Sequence, residues 1–272
     1  MTDTPIEAKS HFYAHGERLL REEIERTEPP FKRRVVIGDC TLYEADCLEL
    51  MPTLGSFDAV ITDPPYGIAH SSNRGASWRG RQILSDQDTA VRDAVANSIG
   101  NKPWVFFGTW KTPPVAGARG CIVWNKGPAF GMGDLKLPWK PSFELAYIGG
   151  NGWRGSRNEG VLAGPVQVSW ENQLNVHESE RRKHPHQKPV WLFEQFISKL
   201  PDSEHILDPF MGSGTTGVAC VKLGRKFTGI ELDSDYFDIA CQRIEEAYRQ
   251  PDMFIEPPAP KPEQLDMLEG EQ

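Results

Sequence analysis

Between residues 35 and 249, short apolar runs alternate with stretches whose apolar positions recur at helical spacing. Residues 35–37 and 41–44 read as short strands, 48–54 as a helix, and 57–62, Phe-Asp-Ala-Val-Ile-Thr, as a buried strand. A helix over about residues 89–98 leads to the apolar strand 104–107, and further strands are expected at 121–124 and 143–148. Residues 150–183 keep no period and mix Gly, Asn and Arg with Trp153 and Trp170, so they read as irregular. The rhythm returns with helix 190–200, strand 205–207, helix 215–223, strand 227–230 and helix 234–249. Strands alternating with helices in this way predict an α/β fold built on a doubly wound, mostly parallel sheet.

The flanks have a different texture. Residues 1–30 suggest one charged helix, about 17–26, stopped by Pro29 and Pro30, and the segment from Pro251 onward is acidic and holds five prolines, so it is expected to be disordered. The chain therefore divides into an N-terminal helix (1–30), a catalytic body (31–250) and a Pro-rich tail (251–272). No stretch approaches the roughly 18 apolar residues of a membrane span, and the first residues lack the basic and apolar regions of a signal peptide. A cytoplasmic protein without a membrane partner is expected. Five widely spaced cysteines with no C-x-x-C pair suggest reduced thiols and no metal site.

The net charge of −8 at first argues against a nucleic-acid partner. Its distribution changes that picture: residues 1–30 contribute −3 and residues 251–272 contribute −5, which leaves the body neutral. Within it, residues 69–85 carry Arg74, Arg79 and Arg81 with no acid, and residues 101–140 carry six bases against Asp134 alone. Basic surfaces for phosphates are available, and a solvated charged face is the alternative reading of either segment.

Two motifs carry chemistry. The string Asp208-Pro209-Phe210-Met211-Gly212-Ser213-Gly214-Thr215-Thr216-Gly217 follows a predicted strand and opens a predicted helix. Glycines there permit a tight turn and close approach of a ligand, and a helix start offers free N–H groups. Glu231 ends the next strand, 17 residues after Gly214, where a carboxylate can accept both hydroxyls of an adenosine ribose. A nucleotide-like cofactor follows, although NAD enzymes use the same logic. The second motif, Asp63-Pro64-Pro65-Tyr66-Gly67, ends the strand 57–62. Its prolines fix φ and donate no N–H, so a carboxylate, free carbonyls and an aromatic face are placed together at a carboxyl strand end. That set suits an exocyclic amine on a planar base: acceptors gripping its hydrogens free a lone pair otherwise conjugated with the ring, while Tyr66 stacks on the base.

With these residues in place, the chain resembles the amino-group DNA methyltransferases that use S-adenosylmethionine, over about residues 35–249. Asp63 to Tyr66 looks like the catalytic motif, Asp208 to Gly214 like the cofactor loop, and Gly229-Ile230-Glu231-Leu232-Asp233 like the ribose-binding strand end. His184-Pro185-His186-Gln187-Lys188-Pro189 is similar to the element that precedes the cofactor loop. The order, catalytic motif first, resembles the circularly permuted beta group and implies a Rossmann-like methyltransferase fold.

The resemblance implies catalytic roles for Asp63, Pro64, Pro65 and Tyr66. It implies cofactor contacts from Asp46, Lys188, Asp208, Pro209, Phe210, Gly212, Gly214, Thr215 and Glu231. For Asp46 a helix N-cap is the alternative, and for Lys188 a solvated base ahead of a helix. The expected reaction is site-specific transfer of a methyl group to adenine N6 in double-stranded DNA, with the base flipped out of the stack and no metal. Cytosine N4 is the alternative target, since Asp in the first motif position is a family tendency towards adenine. From other classes, an NAD-dependent oxidoreductase explains the glycine turn alone, and a non-catalytic DNA-binding module explains the basic loop alone.

DNA reading is expected from segments 69–85 and 150–183, through Arg74, Arg79, Arg81, Arg154 and Arg157, with Trp153 and Trp170 as further candidates. In the tail, Gln264, Leu265, Asp266, Met267 and Leu268 resemble peptides that dock into the bacterial replication sliding clamp, with coincidence as the alternative. A homodimer, a bacterial or phage source and a restriction-modification setting are further expectations of the resemblance.

Overall fold

The structure, a computed structural model, describes residues 29–68, 87–127, 136, 138–139, 142–163 and 187–249. The expected N-terminal helix, the loop around Arg74, Arg79 and Arg81, Trp170 and the Gln264 to Leu268 segment lie outside the described residues. Among the described residues, no helix is long and apolar enough to cross a membrane and no group of His, Cys, Asp or Glu could hold a metal ion.

Among the described residues, nine strands form one sheet: β1 Arg33–Ile37, β2 Cys40–Glu44, β3 Ala59–Thr62, β4 Trp104–Gly108, β5 Ala118–Asn125, β6 Phe143–Gly149, β7 Val161–Ala163, β8 His205–Asp208 and β9 Lys226–Glu231. Their order is β1-β2-β9-β8-β3-β4-β6-β5-β7. The run from β2 to β4 is parallel throughout, while β1 and β6 pair antiparallel to their neighbours. The expected doubly wound, mostly parallel α/β architecture is therefore observed.

The central strands are continuous apolar runs because both their faces are covered. All four residues of β3 and all five of β4 are buried. On one face pack α3 (Val190–Ile197), α4 (Thr215–Lys222) and α5 (Ser234–Arg249), whose Phe193, Phe196, Val218, Phe237, Ala240 and Ile244 meet Ile61, Val105, Phe107 and Phe227. On the other, α1 (Cys47–Leu50) and α2 (Ala90–Ser98) with its C-cap Ile99 cover Val60, Trp104, Phe106, Leu207 and Ile230 through Leu50, Val95 and Ile99. Alternate residues of one strand thus serve opposite cores, as the two-residue period of a strand requires.

Two expectations are corrected. The helix expected over residues 48–54 is one α-helical turn continued as a 3-10 turn, Met51–Thr53, because Pro52 lacks the N–H that α-helical bonding would use. The region from 150, read as irregular, contains β7, which pairs parallel with β5 through Val123↔Val161 and Asn125↔Ala163. Three residues are too few to show a two-residue period, so only the pairing reveals the strand.

Candidate active site

Strand direction determines which residues meet. Because β2, β9, β8, β3 and β4 run parallel, Glu44, Glu231, Asp208, Thr62 and Gly108 end at one edge of the sheet. Strand β6 runs the other way, with Gly108 opposite Leu145, so its first residues, Phe143 and Glu144, reach that same edge. Strand β5 turns back once more and places Trp124 opposite Glu144, bringing Lys126 there too.

The cofactor loop leaves β8 at this edge. Asp208 accepts hydrogen bonds from Thr62 Oγ1 on β3 (2.6 Å), from Thr216 Oγ1 on α4 and from the Phe210 N–H (3.1 Å). Burial pushes its carboxyl up to about 6 despite these donors. Asp208 is the clasp that joins the strand end, the loop and the helix. Gly212 has φ +50° and open space where a Cβ would stand, whereas at Gly214, with φ +77°, a Cβ would press on Ala240 at 2.9 Å. The left-handed backbone at both positions, and the close approach of α5 at the second, require glycine.

Arg243 of α5, fully buried, donates to the Ser213 carbonyl (2.5 Å), Ser213 Oγ (3.0 Å) and Thr215 Oγ1 (3.2 Å). It holds the turn from below and was not singled out in the sequence, where a base on a helix reads as solvated. Across the loop, Glu231 accepts from the N–H groups of Gly212 (2.9 Å) and Asp233 (2.8 Å), and burial pushes its carboxyl up to about 7. A carboxylate beside open space at Gly212, next to the start of α4, fits the ribose and the charged amino-acid end of an adenosine-type cofactor.

Phe210 is half-buried against the α1 face, and Asp46 caps α1 by accepting the Leu48 N–H at 2.8 Å. The N-cap alternative for Asp46 is thus realised in the fold, on the turn directly after β2 and beside Glu231, whose carbonyl accepts the Ala45 N–H.

The Asp-Pro-Pro-Tyr corner follows β3. Tyr66 donates from its hydroxyl to Asp63 Oδ1 at 2.8 Å, folding the motif back on itself. Lys188, which precedes α3, is buried and donates to Asp63 Oδ2, to the Tyr66 hydroxyl (3.0 Å) and to Glu144 Oε2 (3.1 Å). Its ammonium also lies 4.8 Å from the Phe107 ring centre and 5.5 Å from that of Tyr66. The solvated-base reading of Lys188 is therefore wrong: the side chain is buried with its ammonium beside the rings of Phe107 and Tyr66, and two carboxylates take its charge.

Lys126 donates to the other oxygen of Glu144 at 2.9 Å. Although burial opposes it, Lys188 and Lys126 hold the Glu144 carboxyl down to about 2, while burial raises Asp63 against the opposing pull of Lys188. Glu144 and Lys126 were not singled out in the sequence. The available signal was an acid directly before the apolar run Leu145, Ala146 and Tyr147.

Not every expected residue comes to this edge. Arg154 pairs with Asp202 (3.6 Å) and its N–H bonds the Lys199 carbonyl, in the turns that enter β8 at the opposite edge. Trp153 donates to the Gly149 carbonyl (2.9 Å) and packs on the core, a structural role, and Arg157 is exposed in the same loop.

Comparison with known proteins agrees with this geometry. The DNA methylase family matches residues 142–242. Type II methyltransferase M.Cfr9I of Citrobacter freundii is 50% identical over 84% of this chain and 93% of its own length. Type II methyltransferase M2.DpnII of Streptococcus pneumoniae is 50% identical over 64 residues, which span only 24% of that relative. The crystal structure of the M1.HpyAVI-SAM complex shares the fold with a TM-score of 0.51 and 28% identity, over 75% of this chain and 99% of that one. Half identity to M.Cfr9I across nearly all of that relative, together with a shared fold and a family match over the cofactor side, shows that the chain belongs to the DNA methylase family, among its beta-group amino methyltransferases.

Proposed function

We infer that the chain transfers a methyl group from S-adenosylmethionine to the exocyclic amine of a base flipped out of double-stranded DNA, and that the base is adenine. One observation carries this reading. The Asp63 to Tyr66 corner and the Gly212 to Thr215 turn leave adjacent parallel strands at one edge, and the bond from Thr62 to Asp208 ties them together. M1.HpyAVI, 28% identical, is a SAM complex by its own description, and the loop residues here fit that cofactor.

Bound there, S-adenosylmethionine supplies an electrophilic methyl group. Glu231 would accept its ribose hydroxyls, Gly212 would admit it close to the backbone in the turn that Gly214 closes against α5, and Phe210 and Asp46 would flank its adenine. Asp63 accepts an amine hydrogen and withdraws the nitrogen lone pair from ring conjugation, and the Tyr66 ring supports the base. No side chain need become covalently attached, so the corner acts by positioning and by acceptor electrostatics. Adenine rather than cytosine is favoured by Asp at the first motif position. Base reading and phosphate contact are assigned to the segment with Arg74, Arg79 and Arg81, and also to Trp110 and Lys111, which are exposed just beyond β4 at the edge that carries the corner. An oxidoreductase gives no role to Asp63 and Tyr66, and a non-catalytic DNA-binding module gives none to the cofactor loop.

The test is nucleoside analysis of DNA methylated by the protein, with Asp63→Ala as control. N6-methyladenine is expected, and the variant should lose transfer by at least about a hundredfold while binding cofactor nearly as well. N4-methylcytosine would reverse the base assignment, and wild-type transfer by the variant would remove Asp63 from the chemistry.

A further inference from the structure

The corner that would grip a base amine already grips a different nitrogen. Lys188 directs its three ammonium hydrogens at Asp63 Oδ2, the Tyr66 hydroxyl and Glu144 Oε2, and lies near two aromatic faces. Asp63 Oδ1 is taken by the Tyr66 hydroxyl, so Oδ2 is the oxygen an entering amine must use, and Lys188 holds it. A cation left there would also repel the positive charge that an amine gains as it is methylated.

Resting on the methyltransferase reading above, we propose that the Lys188 ammonium stands in for the target amine at Asp63 until a base enters, and that Glu144 then receives Lys188 and holds it away. Glu144 is placed for this transfer of partner. It stands 3.1 Å from the ammonium at the start of the antiparallel strand β6, so rotation about the Lys188 stem suffices. Lys126, bonded to its other oxygen at 2.9 Å, keeps it fixed and ionised. Glu144 is accordingly a positioning residue, acting on the base through Lys188.

The occupied corner lowers apparent affinity for a flipped base by the fraction of time in which it is free, so removing the competitor strengthens base entry and removing the receiver weakens it. Base entry can be read without chemistry, from the fluorescence of 2-aminopurine placed at the target adenine. Glu144→Gln should need about tenfold more DNA for half-maximal signal, and Lys188→Met several-fold less than wild type. In Glu144→Gln/Lys188→Met the signal should return at least to the wild-type level, which a merely structural role for Glu144 would not produce. Cofactor affinity of Glu144→Gln, by calorimetry, should stay within about twofold of wild type.

Base entry in Lys188→Met that is weaker than wild type, or a double variant no better than Glu144→Gln, would overturn the exchange. Should Glu144→Gln fold poorly, Lys188→Met alone decides through the direction of its change. Absence of both base entry and methyl transfer in the wild-type chain would instead sink the methyltransferase reading, and this inference with it.

Discussion

Glu231 shows how one buried carboxylate can couple cofactor and proton. Its value of about 7 lies above the ordinary carboxylate range because burial outweighs the two N–H donors. The folded chain therefore holds this proton more tightly than the unfolded chain, and the stability of the cofactor-free protein falls as pH rises from the ordinary range through about 7. Ribose hydroxyls are donors and favour the carboxylate, so cofactor binding should expel the proton. Affinity is expected to rise by up to about tenfold per pH unit below about 7 and to level off above it. Calorimetry near pH 6.5 in buffers of different ionisation enthalpy should show proton release, and Glu231→Gln should abolish it. A pH-independent affinity in the wild type would remove Glu231 from the ribose site. The motif residues were legible because their neighbours in the chain, two prolines or two glycines, fix the local backbone and so carry their own explanation. Lys188 was legible as part of its motif, but Glu144 and the pairing of the two were not, because the antiparallel turn of β6 and the packing of α3 bring them together across 44 residues of chain, and no local pattern encodes that meeting.

At the scale of elements, the cofactor turn depends on α5. That helix was legible from its period, with Phe237, Ala240, Ile244 and Ala247 on one face. Arg243 shares the buried face, and its role could not be seen in the pattern, since its partners lie about 30 residues earlier on a loop. Arg243→Met keeps most of the apolar stem but leaves the Ser213 carbonyl and two hydroxyls short of a donor. It should cost about 3 kcal/mol or more in chemical denaturation and loosen the turn enough to weaken cofactor binding. Substitution of the glycines separates backbone from packing. Gly212→Ala meets open space and bears chiefly the left-handed backbone penalty of about 1–2 kcal/mol, whereas Gly214→Ala adds a clash with Ala240 and should be clearly worse. Equal loss of thermal stability in the two would mean that α5 does not support the turn.

For the whole molecule the decisive seam is the one between β8 and β3, where the cofactor side of the sheet meets the base side. The permuted order of motifs is harmless to the site, because parallel strands deliver both ends to one edge whichever comes first in the chain. The register across the seam is short, Ala59↔Ile206 and Val60↔Leu207, and is reinforced at one end by Asp58 accepting the N–H groups of Glu204 and His205. At the other end stands the bond from Thr62 to Asp208. Thr62→Val retains the shape and removes that bond, which should cost about 1.5–3 kcal/mol because the acceptor is a buried carboxyl. Asp208 keeps Phe210 and Thr216, so the loop and cofactor affinity should be nearly unchanged, while methyl transfer slows by about tenfold or more as the two halves lose alignment. The loss should also depend on pH with a definite sign. Asp208 is raised to about 6, so ionising it already opposes folding as pH rises through that value; with one donor fewer the opposition grows. Denaturation of Thr62→Val against wild type should thus show a larger deficit at pH 8 than at pH 5. A deficit independent of pH, or cofactor affinity lost in step with the rate, would show that Thr62 serves the loop alone and that the seam is held by its strands.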